Sequence, residues 1–111
     1  MVDYTLAKRA LVRDFRRGLL SRADICDAHP ELLRAARYIG ERTHRSCPVC
    51  DKTELRVLSY VFADDLKRDN GRVWKVERGL ELTSEAEGRT CYVVEVCTGC
   101  SWNHLAEKFV G

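Results

Sequence analysis

No stretch of this 111-residue chain approaches the roughly 20 consecutive apolar residues that a membrane-crossing helix needs. The opening "MVDYTLAKRALV" has no long apolar core and no small-residue cleavage site, so no secretion signal is read there. The expected location is therefore the cytoplasm, where thiols stay reduced. Low-complexity tracts are missing, and so are internal repeats apart from one recurring cysteine pattern. The chain has no Gly-rich phosphate loop, no His-Glu-x-x-His and no Ser/His/Asp cluster in a supportive context. Its carboxylates are many but scattered, with no recognisable acid–base pair. These absences lead to the expectation of a protein that is not an enzyme. Disorder is disfavoured as well, because 45% of the residues are hydrophobic and 32% are charged.

Cysteine is what the chain does have. "CPVC" at 47–50 and "CTGC" at 97–100 share one spacing. Six cysteines in a reducing compartment point first to metal ligands, then to catalytic thiols, and last to a disulfide scaffold. Zinc takes four soft ligands in a tetrahedron, and a Cys-x-x-Cys turn offers two thiolates from one tight loop. Two such turns complete a closed site, so Cys47, Cys50, Cys97 and Cys100 are the expected ligands of one structural Zn2+. Gly99 is expected to supply the positive φ that such a knuckle often needs. The 46 residues between the pairs exceed the usual 15–20. A strand pair with an inserted hairpin and loop fills that gap. A redox pair remains an alternative, but neither Cys-x-x-Cys precedes a convincing helix. Unligated or disulfide-linked cysteines are the other. Cys26 and Cys91 read as small buried residues. His44 and His104 are alternative fourth ligands, and His29 is a turn or cap residue.

The period of the apolar pattern divides the chain. Residues 4–17 predict a helix capped by Asp3 and stopped by Gly18. Leu6, Ala7, Ala10, Leu11 and Phe15 fall on one arc at about 100° per residue, with Arg9, Arg13, Arg16 and Arg17 expected on the opposite side. A short second helix starts at Ser21, with Asp24 completing a capping box and Leu20 and Ile25 in the staple positions. Pro30 opens a third and Gly40 stops it; Leu32, Leu33, Ala36 and Ile39 are its expected buried side. Residues 54–62 and 90–96 are β-branched and aromatic, as strands require. Residues 101–110 make a third strand, with Trp102, His104, Ala106 and Lys108 facing one way and Asn103, Leu105, Glu107 and Phe109 the other. Between the first two strands lies a polar insertion, 63–89. There "DNG" at 69–71 signals a turn, 72–77 pairs back across it, and 81–89 is expected to be a mobile acidic loop. The expected fold is thus α+β: a small N-terminal three-helix segment, then a zinc-ribbon-like antiparallel three-stranded sheet. The boundary is drawn between residues 1–46 and 47–111. The first part has ten Lys or Arg against six Asp or Glu; the second has nine against eleven.

"DICDAHPELLRAARYIGE" followed by "CPVC", and then "YVVEVCTGCSWNHL", resembles an uncharacterised actinobacterial protein family. Its members carry a similar helical start, two Cys-x-x-Cys pairs and a "VEVC-x-x-C-x-WNH" ending. The likeness covers both ends of the chain and weakens across 63–89. It implies the same architecture in a bacterial cytoplasm and implies no activity.

The expected function is non-enzymatic: a zinc-ribbon protein docking to a component of the transcription machinery such as RNA polymerase. The arginines of the first helix supply guanidinium groups suited to phosphate or to an acidic protein surface. Trp102 and His104 form a secondary candidate surface. Tyr60, Phe62, Trp74 and Trp102 are either base-stacking groups or core aromatics. The alternatives are a structural adaptor unrelated to nucleic acid and a ribosome-associated RNA-binding protein.

Overall fold

A computed structural model describes residues 1–111. Six strands form one antiparallel sheet: β1 (Val2–Asp3), β2 (Glu41–Ser46), β3 (Glu54–Phe62), β4 (Arg72–Trp74), β5 (Thr90–Val96) and β6 (Asn103–Val110). Four α-helices accompany it: α1 (Thr5–Arg16), α2 (Arg22–Ile25), α3 (Pro30–Tyr38) and α4 (Val76–Ser84), with a 3-10 helix at Asp64–Asp69. The strand order is β1-β6-β5-β3-β2, and β4 pairs with the second half of β3 on the same edge that β2 takes in the first half. The fold is α+β as expected, but the sheet has six strands where three were expected. Residues 1–46 contribute two of them. β2 reads "ERTHRS", nearly all exposed, so no apolar alternation marks it. A bulge between Arg42 and Ser46 and its charged side chains suit an edge strand.

The helix boundaries follow local chemistry. Tyr4 rather than Asp3 is the N-cap of α1; Asp3, one residue earlier, accepts the Thr5 N–H at 2.7 Å. At the other end Gly18, at φ +79°, donates to the Phe15 carbonyl while Leu19 donates to that of Asp14. Those two bonds make a Schellman stop. Ser21 and Asp24 form the reciprocal capping box on α2, and Leu20 and Ile25 meet in one apolar cluster. His29 Nδ1 accepts the Glu31 N–H at 3.1 Å, so His29 caps α3 ahead of Pro30.

Directly paired residues of an antiparallel ladder project from the same face. On one face Val61, Cys91 and Val93 form a cluster packed under Val76 and Leu80 of α4. On the other, Leu58 and Val96 pack against Ala36 of α3. Cys47, Val49, Leu55, Cys97 and Trp102 form a third cluster beside Val12 of α1 and Ile25 of α2. β6 departs from strict alternation: Val93 pairs with Glu107 but Val94 pairs with Leu105. That one-residue bulge reverses the expected facing beyond Leu105. Ala106 and Phe109 share the cluster with Cys91, while Lys108 lies over the Tyr92 ring on the opposite face.

The insertion 63–89 is structured rather than loop-like. Gly71, at φ +76°, returns the chain from the 3-10 helix into β4, as the turn signal anticipated. The first four residues of the expected acidic loop at 81–89 instead complete α4, which buries Gly79, Leu82 and Thr83, while 85–89 form a turn. Gly79 is there for space, since an added Cβ would sit 2.1 Å from Ser59 Oγ. That hydroxyl is held in place by donating to the Trp74 and Lys75 carbonyls at 3.1 and 3.3 Å. Gly79→Ala is therefore expected to destabilise by about 1–3 kcal/mol through overpacking, outweighing alanine's better helix propensity of about 1 kcal/mol. An unchanged or raised urea midpoint would refute the close-packing explanation.

Candidate metal centre

Two knuckles of matching construction face each other at one end of the sheet. In the first, the Cys47 N–H donates to the Thr53 carbonyl at 2.8 Å and the Asp51 N–H returns to the Cys47 carbonyl at 2.9 Å. In the second, the Cys97 N–H donates to Trp102 at 2.8 Å and the Ser101 N–H to Cys97 at 3.0 Å. The left-handed residue in each follows the second cysteine: Asp51 at φ 56° and Ser101 at φ 72°. Gly99 does not take the positive φ expected of it. Its lack of a side chain serves a close approach, since an added Cβ would lie 2.4 Å from Thr53 Oγ1 in the facing knuckle.

All four sulfurs lie within 4.8 Å of one another. Cys47 and Cys100 Sγ are 3.7 Å apart, as are those of Cys50 and Cys97. A regular tetrahedron of sulfurs about 2.3 Å from a central ion has edges of about 3.8 Å. The four cysteines are thus close enough to hold one metal ion, and no histidine belongs to the cluster. Cys47 and Cys97 are fully buried; Cys50 and Cys100 are half-buried. Backbone N–H groups of Val49 and Cys100 reach the Cys47 and Cys97 sulfurs at 3.4 Å, which orients two ligands from behind. Burial pushes the Cys47 thiol up to about 11 and raises that of Cys100 as well. Burial also opposes ionisation of Cys50, but the Lys52 and Thr53 N–H groups, with the Cys97 and Cys47 thiols, outweigh it and bring Cys50 to about 6. A cation at the centre reverses the resistance of the first two. Four protein thiolates around one ion would leave no position for water or substrate.

A fifth thiol lies against this group. Cys26 Sγ is 3.7 Å from Cys100 Sγ. The sequence places Cys26 on α2, 74 residues from Cys100, and nothing in its spacing signals the meeting. Cys91 is buried between Gly79, Ser59 and Thr83 and is a packing residue.

Trp102 and His104, expected as a secondary surface, are buried instead, at 0% and 7% exposure. Their rings stack with centroids 6.0 Å apart. His44 is exposed and lies on the β2 bulge. Among the other aromatics, Trp74 carries Arg72 over its ring, Tyr60 packs under α3, and Phe62 meets Tyr92 edge-on.

The arginines of α1 lie where their exposure was expected, but the helix is rotated relative to the anticipated arc. Val12 is its buried residue, while Leu6 is 78% exposed and Leu11 also faces outward. Arg9, Arg13, Arg16 and Arg17 flank Val12 rather than oppose the packed side. Together with Lys8 and Pro48 they line a groove of about 610 Å³ between α1 and the first knuckle. Arg13 lies 3.5 Å from Asp14, and Arg9, Arg16 and Arg17 have no carboxylate partner.

Next to this groove is a polar group that sequence reasoning missed. Glu95, 3% exposed, accepts from Lys8 Nζ at 2.8 Å and from Arg45 Nη2. Burial alone would raise its carboxyl; the bonds from Lys8 and Arg45 prevail and hold it below its ordinary value. His104, its partner across the β5–β6 ladder, is kept neutral by burial against the pull of the Glu95 charge. The only sequence signal was an acidic residue within an otherwise apolar strand, "YVVEV".

The paired knuckles and their four clustered thiols define a small α+β domain with a zinc-ribbon-like cysteine centre. The chain belongs to the family of unknown function DUF5318, whose model matches residues 1–111. It is 38% identical over 109 residues to "Uncharacterized protein Rv0049" of Mycobacterium tuberculosis, a match covering 98% of this chain and 80% of that one. "Uncharacterized protein Mb0050" of Mycobacterium bovis matches with the same identity and the same coverage. The actinobacterial resemblance is thereby confirmed. No solved structure matches the chain. No helix is long and apolar enough to cross a membrane.

Proposed function

We propose that this protein is a non-enzymatic binding module of the bacterial cytoplasm. One structural Zn2+ on Cys47, Cys50, Cys97 and Cys100 holds the knuckle end together. The groove beside it docks to an acidic surface of a protein in the transcription machinery, with RNA polymerase as the first candidate. The observation that carries this reading is the groove itself: Lys8, Arg9, Arg13, Arg16 and Arg17 line it with no acidic residue among the lining groups. Zinc fits the soft, closed, all-thiolate donor set. Val12 and Pro48 give the groove apolar walls, which suit a protein surface better than a bare phosphate chain. The excess of acid over base in residues 47–111 disfavours a ribbon that grips nucleic acid by itself.

Affinity capture from the native cell followed by mass spectrometry tests the proposal. Wild type should recover a specific partner, and Arg9→Glu/Arg13→Glu/Arg16→Glu should lose it at least tenfold while keeping its melting temperature. A shallow fall of log affinity with log salt supports a protein partner. A steep one indicates phosphate contact and release of several counterions. Undiminished recovery by the triple variant would refute the groove as the docking site and favour a structural adaptor.

A further inference from the structure

Cys26 is placed against the metal centre by more than chance proximity. The capping box fixes the start of α2, and Ile25 anchors it in the core. The Ala28 N–H then donates to the Ser101 carbonyl at 3.0 Å, and Asn103 Nδ2 donates to Asp27 Oδ1 at 2.9 Å. These two bonds tie the two residues that follow Cys26 to the second knuckle and the start of β6. The outcome is a sulfur 3.7 Å from Cys100 that is surplus to a four-coordinate ion.

From this geometry we propose that Cys26 is an oxidative modification site, the first peroxide target of the centre, and that it resolves by forming a disulfide with Cys100. The proposal rests on metal occupancy of the four-thiol site, because ligation engages the electron pairs of those sulfurs and leaves Cys26 free. Of the two cysteines outside the ligand set, Cys91 is fully buried, while Cys26 is half-buried like Cys50 and Cys100, so of these two Cys26 is the one a small oxidant can reach. The Cys26 sulfur attacks one oxygen of hydrogen peroxide. The O–O bond breaks, Cys26 becomes a sulfenic acid, and the other oxygen leaves as water with the thiol proton. Cys100 then leaves the ion, and its freed thiolate attacks the adjacent Cys26 sulfur, forms the S–S bond and expels hydroxide, which takes up a proton from solvent. Peroxide is reduced to two waters and two thiols are oxidised to one disulfide. The two sulfurs start 3.7 Å apart and approach to about 2.05 Å in the disulfide. The ion is left with three thiolates and dissociates far more readily.

The test uses zinc-loaded full-length protein, hydrogen peroxide and a chromophoric zinc chelator. Wild type should release zinc as a Cys26–Cys100 peptide bridge appears in mass spectra, and thiol reductant with added zinc should reverse both. Cys26→Ser and Cys26→Ala should retain zinc at rest and release it at least tenfold more slowly under peroxide. Cys91→Ser should behave as wild type. Release from the Cys26 variants at the wild-type rate would overturn the proposal, as would a first-formed bridge between Cys47 and Cys50 or between Cys97 and Cys100. Protein that binds no zinc at all would refute the metal reading. Because the proposal rests on metal occupancy, that result overturns it as well.

Discussion

Protein purified without added metal is expected to contain one zinc per chain, and serine at Cys47, Cys50, Cys97 or Cys100 is expected to abolish cooperative unfolding. The magnitudes decide this. A structural zinc contributes about 10–16 kcal/mol of apparent binding free energy at pH 7. A small domain has about 5–15 kcal/mol of net stability. A bound zinc would therefore be worth as much as the rest of the fold. Four of the buried or half-buried members of the cluster at that end are the thiols themselves. Without an ion, four sulfurs lie within 4.8 Å with no cation between them. Elemental analysis gives the stoichiometry, and thermal unfolding of each variant gives the consequence. A metal-free protein that melts at the wild-type temperature would rule out the structural role.

Glu95→Gln is the next largest effect expected: a loss of about 3 kcal/mol at pH 7 and a flatter acid limb. Removing one partner of a buried pair strands the others and costs about 3–5 kcal/mol. Arg45 is half-exposed and recovers some solvation, which favours the lower end. The sign with pH follows from the depressed carboxyl. Above the unfolded value near 4.5 the Glu95 contribution is fully present; it disappears as pH falls through the lower folded value. His104 acts in the same direction from a higher starting point. Its folded value lies below 6.5, so the unfolded chain takes up that proton first and stability declines as pH drops from there. Urea unfolding at several pH values between 7 and 3 checks both. A Glu95→Gln variant with the wild-type acid limb would show that the ion triad contributes nothing.

The features legible in sequence were those written in adjacent residues. The Ser21–Asp24 capping box, Pro30 at a helix start, Gly18 at a helix stop and the paired knuckles all follow from local chemistry and were found where expected. The strands of the sheet centre were legible because burial on both faces demands β-branched and apolar residues. β2 was not, because an exposed edge strand needs no apolar side chains. α4 was hidden by Gly79, which reads as a helix breaker until the Ser59 hydroxyl beneath it is known. The orientation of α1 was misread in part: Phe15 of the anticipated arc packs against the knuckle cluster, while Leu6 and Leu11 of the same arc are exposed. Val12, among arginines, meets the knuckle cluster, and the leucines face outward. The bulge in β6, the ion triad and the meeting of Cys26 with Cys100 depend on pairings between distant segments, and no local pattern records them.

The register of β3 against β5 has a kinetic consequence. The two knuckles sit at the start of one strand and the end of the other, so the four sulfurs converge only when Arg56 pairs with Val96. An ion bound to one knuckle alone gains two ligands and must wait for the second. Metal capture would thus be slaved to a non-local strand pairing, which meets its loop-closure entropy before any reward. Folding in the presence of zinc should be limited by that pairing, and the ion should act by slowing unfolding rather than by speeding folding.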